Sequence, residues 1–366
     1  MRILVSPDSF KGSITAERFC RVINQAAKKI FPEFSMVSMP LADGGEGTGA
    51  LLASALGGKL ENVTVEGPFG KPVKANVAFL NDGRTAVVES AQAIGLPLAG
   101  RRANPIRTSS YGVGQMISYA TSKGAGKIIL TLGGSSTNDL GAGMLSAMGV
   151  SFVDICGNRF APVGGNLDRV VNIEFNQEFS KYREVEFTVL CDVENPLLGE
   201  RGCAAVFAPQ KGANASEVRM LEMGAEKFAS VVRRVTGTDF RELPGAGAAG
   251  GICFGALSFL EAEKMSGIDM MFETYNYRNE AALADLIITG EGRFDSQSLM
   301  GKAVGGVLKM RGEVPTVIFC GTCDRTPVPQ GVKVIQIGEG MPLEEAMANA
   351  PELLLKKAED YFESIR

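Results

Sequence analysis

The chain has 366 residues, of which 45% are apolar, 21% charged and 7% aromatic, with a net charge of −4, 45 Gly, 7 Cys, no Trp and no His. Without His there is no Ser-His-Asp or Cys-His nucleophilic site, no His-ligated zinc or haem and no imidazole pH switch, so proton transfer falls to Asp, Glu, Lys, Tyr, Cys, a metal or the backbone. The acidic balance, with no basic stripe, excludes nucleic acid as a partner, and no apolar run approaches the ~18 residues needed to span a bilayer.

The start of the chain turns polar at Ser6-Pro7-Asp8, too early for the apolar region of a signal peptide, and a cytoplasmic protein is expected. The cysteines lie mostly in apolar runs and are read as reduced thiols, Cys320 and Cys323 included despite their CxxC spacing. The length suggests two domains.

Residues 2–6 read as a strand, followed by a polar turn and a helix over 16–30 with Ser13 or Thr15 as its cap. A strand at 36–40, a loop at 42–48 and a small-residue helix at 49–56 repeat the pattern. Short strands at 63–66, 73–80 and 85–89 follow, joined by Gly/Pro and Asn-Asp-Gly turns. The reading continues with a helix over 111–122, a strand at 127–132 and a helix over 144–148. Strands at 185–190 and 204–208 precede a long helix over 217–235. Strands at 286–289, 314–319 and 332–337 and a helix over 342–362 close the chain. This alternation predicts an α/β fold of two domains: residues 1–60 with 285–366 forming one, with a parallel-type sheet, and 61–284 a second, inserted one.

Five loops combine Gly with hydroxyl, amide or carboxylate residues: 7–13, 42–48, 133–139, 191–197 and 289–298. Each follows an apolar strand, where open α/β sheets carry their ligands. Gly-rich loops that lead into helices present N–H groups suited to phosphate. The neighbouring carboxylates, Asp8, Asp43, Glu46, Asp139, Asp192, Glu291 and Asp295, are of the type that holds Mg2+ or accepts a proton. Lys11, Lys211, Arg293 and Lys302 stand beside Gly; Lys11 and Lys211 could neutralise phosphate, and Arg293 could meet a substrate carboxylate. Phosphoryl transfer needs positioning, charge neutralisation and acceptance of one hydroxyl proton, none of which requires His. A kinase for a small polar substrate fits this inventory.

Two motifs do not carry function. Gly245-Ala246-Gly247-Ala248-Ala249-Gly250 matches GxGxxG but lacks the βαβ context, so it reads as a helix start or a close backbone contact. Leu299-Met300-Gly301-Lys302-Ala303 lacks the leading Gly and the Ser/Thr of a P-loop.

In these residues the sequence resembles the bacterial type I glycerate kinase family. The resemblance is carried by Pro7-Asp8-Ser9-Phe10-Lys11-Gly12-Ser13, Ala42-Asp43-Gly44-Gly45-Glu46-Gly47-Thr48 and Gly133-Gly134-Ser135-Ser136-Thr137-Asn138-Asp139. It continues through Cys191-Asp192-Val193-Glu194-Asn195-Pro196-Leu197, Pro209-Gln210-Lys211-Gly212-Ala213 and Pro244 to Gly251, and ends in Thr289-Gly290-Glu291-Gly292-Arg293-Phe294-Asp295-Ser296-Gln297-Ser298. It implies ATP- and Mg2+-dependent phosphorylation of D-glycerate, usually to 2-phosphoglycerate, by two α/β domains with the active-site cleft between them. It leaves a homodimer open. Met300 stands near a position where the family is expected to carry His.

On that footing Asp8, Lys11, Asp43, Asp192 and Lys211 are the catalytic candidates, with Asp8, Asp43 and Asp192 as alternative general bases. Ser9, Gly44, Gly45, Glu46, Asn195, Arg293 and Asp295 are candidates for the substrate. Gly133, Gly134, Ser135, Thr137, Asn138 and Glu291 are candidates for ATP, and Asp192 and Asp139 for the metal. The alternatives are a kinase for a related hydroxy acid, a 3-phosphoglycerate product, or a weakly catalytic binding or sensor protein on the same fold.

Overall fold

The computed structural model describes residues 1–366 apart from Lys11, Asp43, Glu46, Met300, Gly301, Lys302 and Arg325, and apart from the side chains of Arg102 and Gln297. Its strands are, in chain order, β1 (Arg2–Val5), β2 (Ser35–Ser38), β3 (Lys59–Glu66), β4 (Pro72–Phe79), β5 (Thr85–Glu89), β6 (Lys127–Thr131), β7 (Val150–Val153), β8 (Arg159–Phe160), β9 (Asn172–Phe175), β10 (Glu186–Leu190), β11 (Glu263–Met265), β12 (Leu286–Phe294), β13 (Thr316–Cys323) and β14 (Val332–Gln336). The chain divides into two compact units, Met1–Asp43 with Gly267–Arg366, and Gly44–Ser266. Both are α/β.

The discontinuous unit holds a five-stranded sheet in the order β14-β13-β12-β1-β2, with every neighbouring pair parallel. Helix Ala16–Ile30 covers it because Phe19, Cys20, Ile23, Ala26, Ala27 and Ile30 fall on one face and are all buried. Thr15 caps this helix by accepting from Arg18 N at 3.2 Å, and Lys28 and Lys29 in the last turn complement the helix dipole. Phe19 is fully buried beside Phe319. Its burial contributes about 1.5–3 kcal/mol.

The continuous unit holds a six-stranded sheet in the order β11-β10-β6-β5-β4-β3. Strands β11, β10, β6 and β5 are parallel, and β4 and β3 extend the sheet antiparallel. Because β4 runs against β5, the β3–β4 turn, where Glu66 faces Pro72, lies at the same edge as the carboxyl ends of β5, β6 and β10. A second sheet, β8-β7-β9, is antiparallel and packs through Phe152 onto Phe228 of the long helix Ala215–Thr236. Asn214 and Glu217 form a capping box at the start of that helix.

The structure departs from the sequence reading at several elements. Residues 204–208 belong to a helix, Cys203–Phe207, whose small buried residues Cys203 and Ala204 admit close packing. Much of the loop read at 289–298 is strand: β12 runs to Phe294 and β13 to Cys323. Glycines conceal this continuation, and they are required there. A Cβ at Gly290 would meet Phe319 O at 2.5 Å, and one at Gly321 would meet Gly292 O at 2.6 Å. The C-terminal helix is two, Leu343–Ala348 and Ala350–Ser364, with Pro351 in the first turn of the second. The sheet of β7, β8 and β9 carries too few residues per strand to show a period.

The unit boundaries fall at 43/44 and 266/267, whereas the sequence pattern changes near 60 and 285. Helix Thr48–Ala55 packs on β4 and β5, and helices Gly267–Thr274 and Tyr277–Ala282 pack on helix Ala303–Met310. Among the described residues no helix is long and apolar enough to cross a membrane.

Candidate active site

In the discontinuous unit the polar residues follow β1 and lie along β12 and just beyond its end. Beyond β1 the backbone stays in register with β12, as Ser6 N donates to Ile288 O and Asp8 N to Gly290 O, both at 2.8 Å. Thr289 Oγ1 donates to Ser6 O at 2.7 Å. Asp8 Oδ1 accepts from Ser9 N at 2.6 Å, which fixes the turn that carries both candidates. Gly12 has φ 82°, a left-handed conformation that favours glycine. Glu291 is buried on β12, facing Cys320 in the register. Arg293 is exposed and pairs with Asp295 at 3.4 Å and Asp324 at 3.2 Å. Asp295 N donates to Ser298 Oγ at 3.0 Å and Asp295 Oδ1 accepts from Ser298 N at 3.3 Å. Lys11 lies outside the described residues, as do Asp43, Glu46, Met300 and Lys302.

In the continuous unit the loops 133–139 and 191–197 follow the carboxyl ends of the neighbouring parallel strands β6 and β10. The loop 133–139 after β6 is held from several sides. Ser136 N and Ser136 Oγ both donate to Ile94 O at 2.8 Å, and Thr108 Oγ1 donates to Ser136 O at 2.8 Å. Gly134 has φ 65°. Gly250 lies so close that a Cβ there would stand 2.0 Å from Thr137 O, which explains the glycine run at 245–251 as a close backbone contact.

Lys211 is 2% exposed, with its Nζ donating to Thr137 O at 2.7 Å and to Ser135 Oγ at 3.1 Å. Burial pulls its pKa down to about 8. Its ammonium therefore clamps the loop from within the protein, a different task from meeting phosphate directly. Asn138 is fully buried, and its Nδ2 donates to Cys203 Sγ at 3.7 Å. Burial pushes the Cys203 thiol up to about 12, which leaves it unreactive.

Asp139 is fully buried. Its Oδ2 accepts from Ser110 N at 2.7 Å, Ser110 Oγ at 2.9 Å and Gly143 N at 3.3 Å, and its Oδ1 accepts from Gly141 N at 3.2 Å. Burial raises its pKa against these hydrogen bonds. A carboxylate has about four acceptor positions, so Asp139 braces the loop and the start of the next helix and cannot serve as a metal ligand. Mg2+ takes one or two carboxylates together with phosphate oxygens and water. Asp192, exposed directly after β10, fits that donor type. Among the described residues no group of three or more Cys, Asp or Glu converges as a metal site. Asn195, in the same loop as Asp192, donates from Nδ2 to Arg201 O at 2.8 Å and accepts through its backbone from Gly245 N and Gly247 N.

Glu89 has no place in the sequence-derived set. It ends β5, is 5% exposed, and accepts from Gly49 N at 2.7 Å and Gly47 N at 3.1 Å. Its carboxylate thus holds the exit of the loop that contains Gly44 and Gly45, and it occupies the N-terminus of helix Thr48–Ala55 that the sequence offered to phosphate. Gly45 O accepts from Thr48 Oγ1 at 2.8 Å, which completes the turn. The available signal was a lone Glu closing the apolar run Ala86-Val87-Val88.

These units define an α/β enzyme that presents its polar residues at the carboxyl ends of parallel strands. Residues 3–366 match the model of the Glycerate kinase family, and the chain belongs to that family. It is 39% identical to a glycerate kinase of Bacillus subtilis (strain 168), over 100% of this chain and 98% of the relative. It is also 39% identical to a glycerate 2-kinase of Escherichia coli (strain K12), over 84% of this chain and 81% of the relative. A crystal structure described as glycerate kinase 2 from Salmonella typhimurium LT2 superposes with a TM-score of 0.91 at 34% identity, covering 100% of this chain and 98% of that one.

Proposed function

We propose that the protein transfers the γ-phosphoryl group of ATP to the 2-hydroxyl of D-glycerate, producing 2-phosphoglycerate and ADP. The observation that carries this reading is the exposed Asp192 carboxylate at the end of β10, next in the sheet to β6 and its Gly-rich loop. In the reaction the glycerate hydroxyl oxygen attacks the γ-phosphorus. The bond from that phosphorus to the bridging oxygen of ADP breaks, and the hydroxyl proton passes to a carboxylate, which we assign to Asp192. Bound Mg2+ supplies charge neutralisation on the phosphate oxygens. Asp192 and Asn195 are the residues assigned to the metal shell and the hydroxyl. Loop 133–139, braced by Lys211 and Asp139, is assigned to the nucleotide phosphates, and the Gly44-Gly45 backbone to glycerate. A loose transition state needs only a weak base, and most of the catalysis is electrostatic.

The test is ADP release by the purified protein with ATP, Mg2+ and D-glycerate, followed by phosphorus NMR of the product. D-Glycerate-dependent release with a 2-phosphoglycerate signal supports the reading. Faster turnover of tartronate or a sugar acid reassigns the substrate, a 3-phosphoglycerate signal reassigns the hydroxyl, and no release from folded protein removes the proposal.

A further inference from the structure

Within the unit Gly44–Ser266, a cavity of about 470 Å3 is lined by Phe69, Ala103, Asn104 and Arg107. It falls within the ~300–1,000 Å3 of clefts that bury drug-sized ligands, and it is far larger than a three-carbon acid fills. Phe69 sits in the β3–β4 turn, at the edge where β5, β6 and β10 end. The cavity and loop 133–139 therefore share one edge of one sheet.

The part of the lining formed by Ala103, Asn104 and Arg107 is held in place. Asn104 Oδ1 accepts from Ile106 N at 2.9 Å, and Asn104 Nδ2 donates to Glu217 Oε1 at 3.1 Å. Arg107 N donates to Asn104 O at 3.1 Å, and Gly165 N donates to Ile106 O at 3.0 Å. Thr108 Oγ1, bonded to Ser136 O, ties this wall to loop 133–139. Gly212, next to the buried Lys211, has φ 96° and lies so close to Ala103 that a Cβ would stand 2.2 Å from Ala103 O. A wall fixed from two sides does not need ordering when a ligand enters.

The lining combines a half-buried aromatic ring, an amide edge and an exposed guanidinium. A hydroxy acid has no use for an aromatic face, whereas a nucleobase stacks on one and its phosphates attract a guanidinium. We infer that this cavity seats the base and ribose of the nucleotide, with Phe69 against the base and Arg107 toward the phosphates. The inference rests on ATP being the phosphoryl donor, as proposed above.

The chain contains no Trp, so Phe69→Trp installs a single fluorescent reporter in the cavity. Emission of that variant is expected to change saturably with ATP and with ADP and to stay constant with D-glycerate. In steady state, Phe69→Ala is expected to raise KM for ATP ~5- to 100-fold, with KM for D-glycerate within about twofold of wild type. Arg107→Ala, which removes an exposed side chain, keeps the protein folded and raises KM for ATP ~5-fold or more. Emission unmoved by ATP, emission moved by D-glycerate instead, or unchanged KM for ATP in both alanine variants overturns the inference. Absence of ATP-dependent turnover in the wild type removes the proposed reaction alone, because the emission titration decides the cavity by itself.

Discussion

Glu89→Ala tests whether a buried carboxylate organises the loop that leads into helix Thr48–Ala55. The side chain is 5% exposed and receives the N–H groups of Gly49 at 2.7 Å and Gly47 at 3.1 Å. Its removal leaves the buried Gly49 donor without an acceptor, at about 1–3 kcal/mol. Loss of a negative charge at the helix N-terminus adds about 0.3–1 kcal/mol, and the weaker bond to the exposed Gly47 adds about 0.5 kcal/mol. The sum is about 2–4 kcal/mol. In a unit of this size each kcal/mol shifts Tm by about 2–4 °C, so a fall of about 5–15 °C is expected by calorimetry. Glu89→Gln retains one carbonyl acceptor but turns an amide donor toward the second N–H, and it falls between Ala and wild type. If the loop binds glycerate, KM for D-glycerate rises in Glu89→Gln more than KM for ATP does. A Glu89→Ala protein with Tm within about 1 °C of wild type refutes the reasoning, because a buried N–H cannot lose its acceptor without cost.

Lys211 titrates at about 8 in the folded chain against 10.5 ordinarily. The unfolded chain therefore holds one more proton from about pH 8 to 10.5, so this group's contribution to stability rises with pH through that window and is level below it. Urea unfolding of Lys211→Met across pH 7–10 is expected to lack that rise, and parallel curves for the two proteins refute the assignment. Asp139→Ala deprives four donors of their acceptor and is expected to cost about 3–5 kcal/mol in chemical denaturation, so a loss under about 1 kcal/mol refutes the bracing role. Asp192→Asn, at an exposed position, is expected to leave Tm unchanged and lower kcat at least ~100-fold, and near-normal turnover removes Asp192 from the role of base.

How much was legible depended on how local the signal was. Helix Ala16–Ile30 could be read because its apolar residues recur at helical spacing and Thr15 precedes them. The start of β12 was legible as an apolar run, but its continuation through Gly290-Glu291-Gly292-Arg293 was not. Glycine marks turns by itself, and only the neighbouring strand at Gly321 and Phe319 shows that close approach demands it. Residues 204–208 misled for a related reason: a short apolar run has no period, and packing of the Cys203–Phe207 helix on helices Ala215–Thr236 and Ala248–Phe259 decides it.

The absence of His, the acidic loops and their position after apolar strands were properties of the sequence alone. They determined the class of chemistry, since residue types bound what a protein can do wherever the chain places them. The tasks of individual polar residues were decided by tertiary structure. Asp139 and Asp192 have the same side chain beside similar loops, yet one is buried among four donors and the other is at an exposed position. Lys211 reaches Ser135 across 76 positions of sequence, and Glu89 reaches Gly49 across 40. Burial and hydrogen-bond partners arise from chain segments distant in sequence, and they set whether a charged group is enclosed as a brace or lies at the surface.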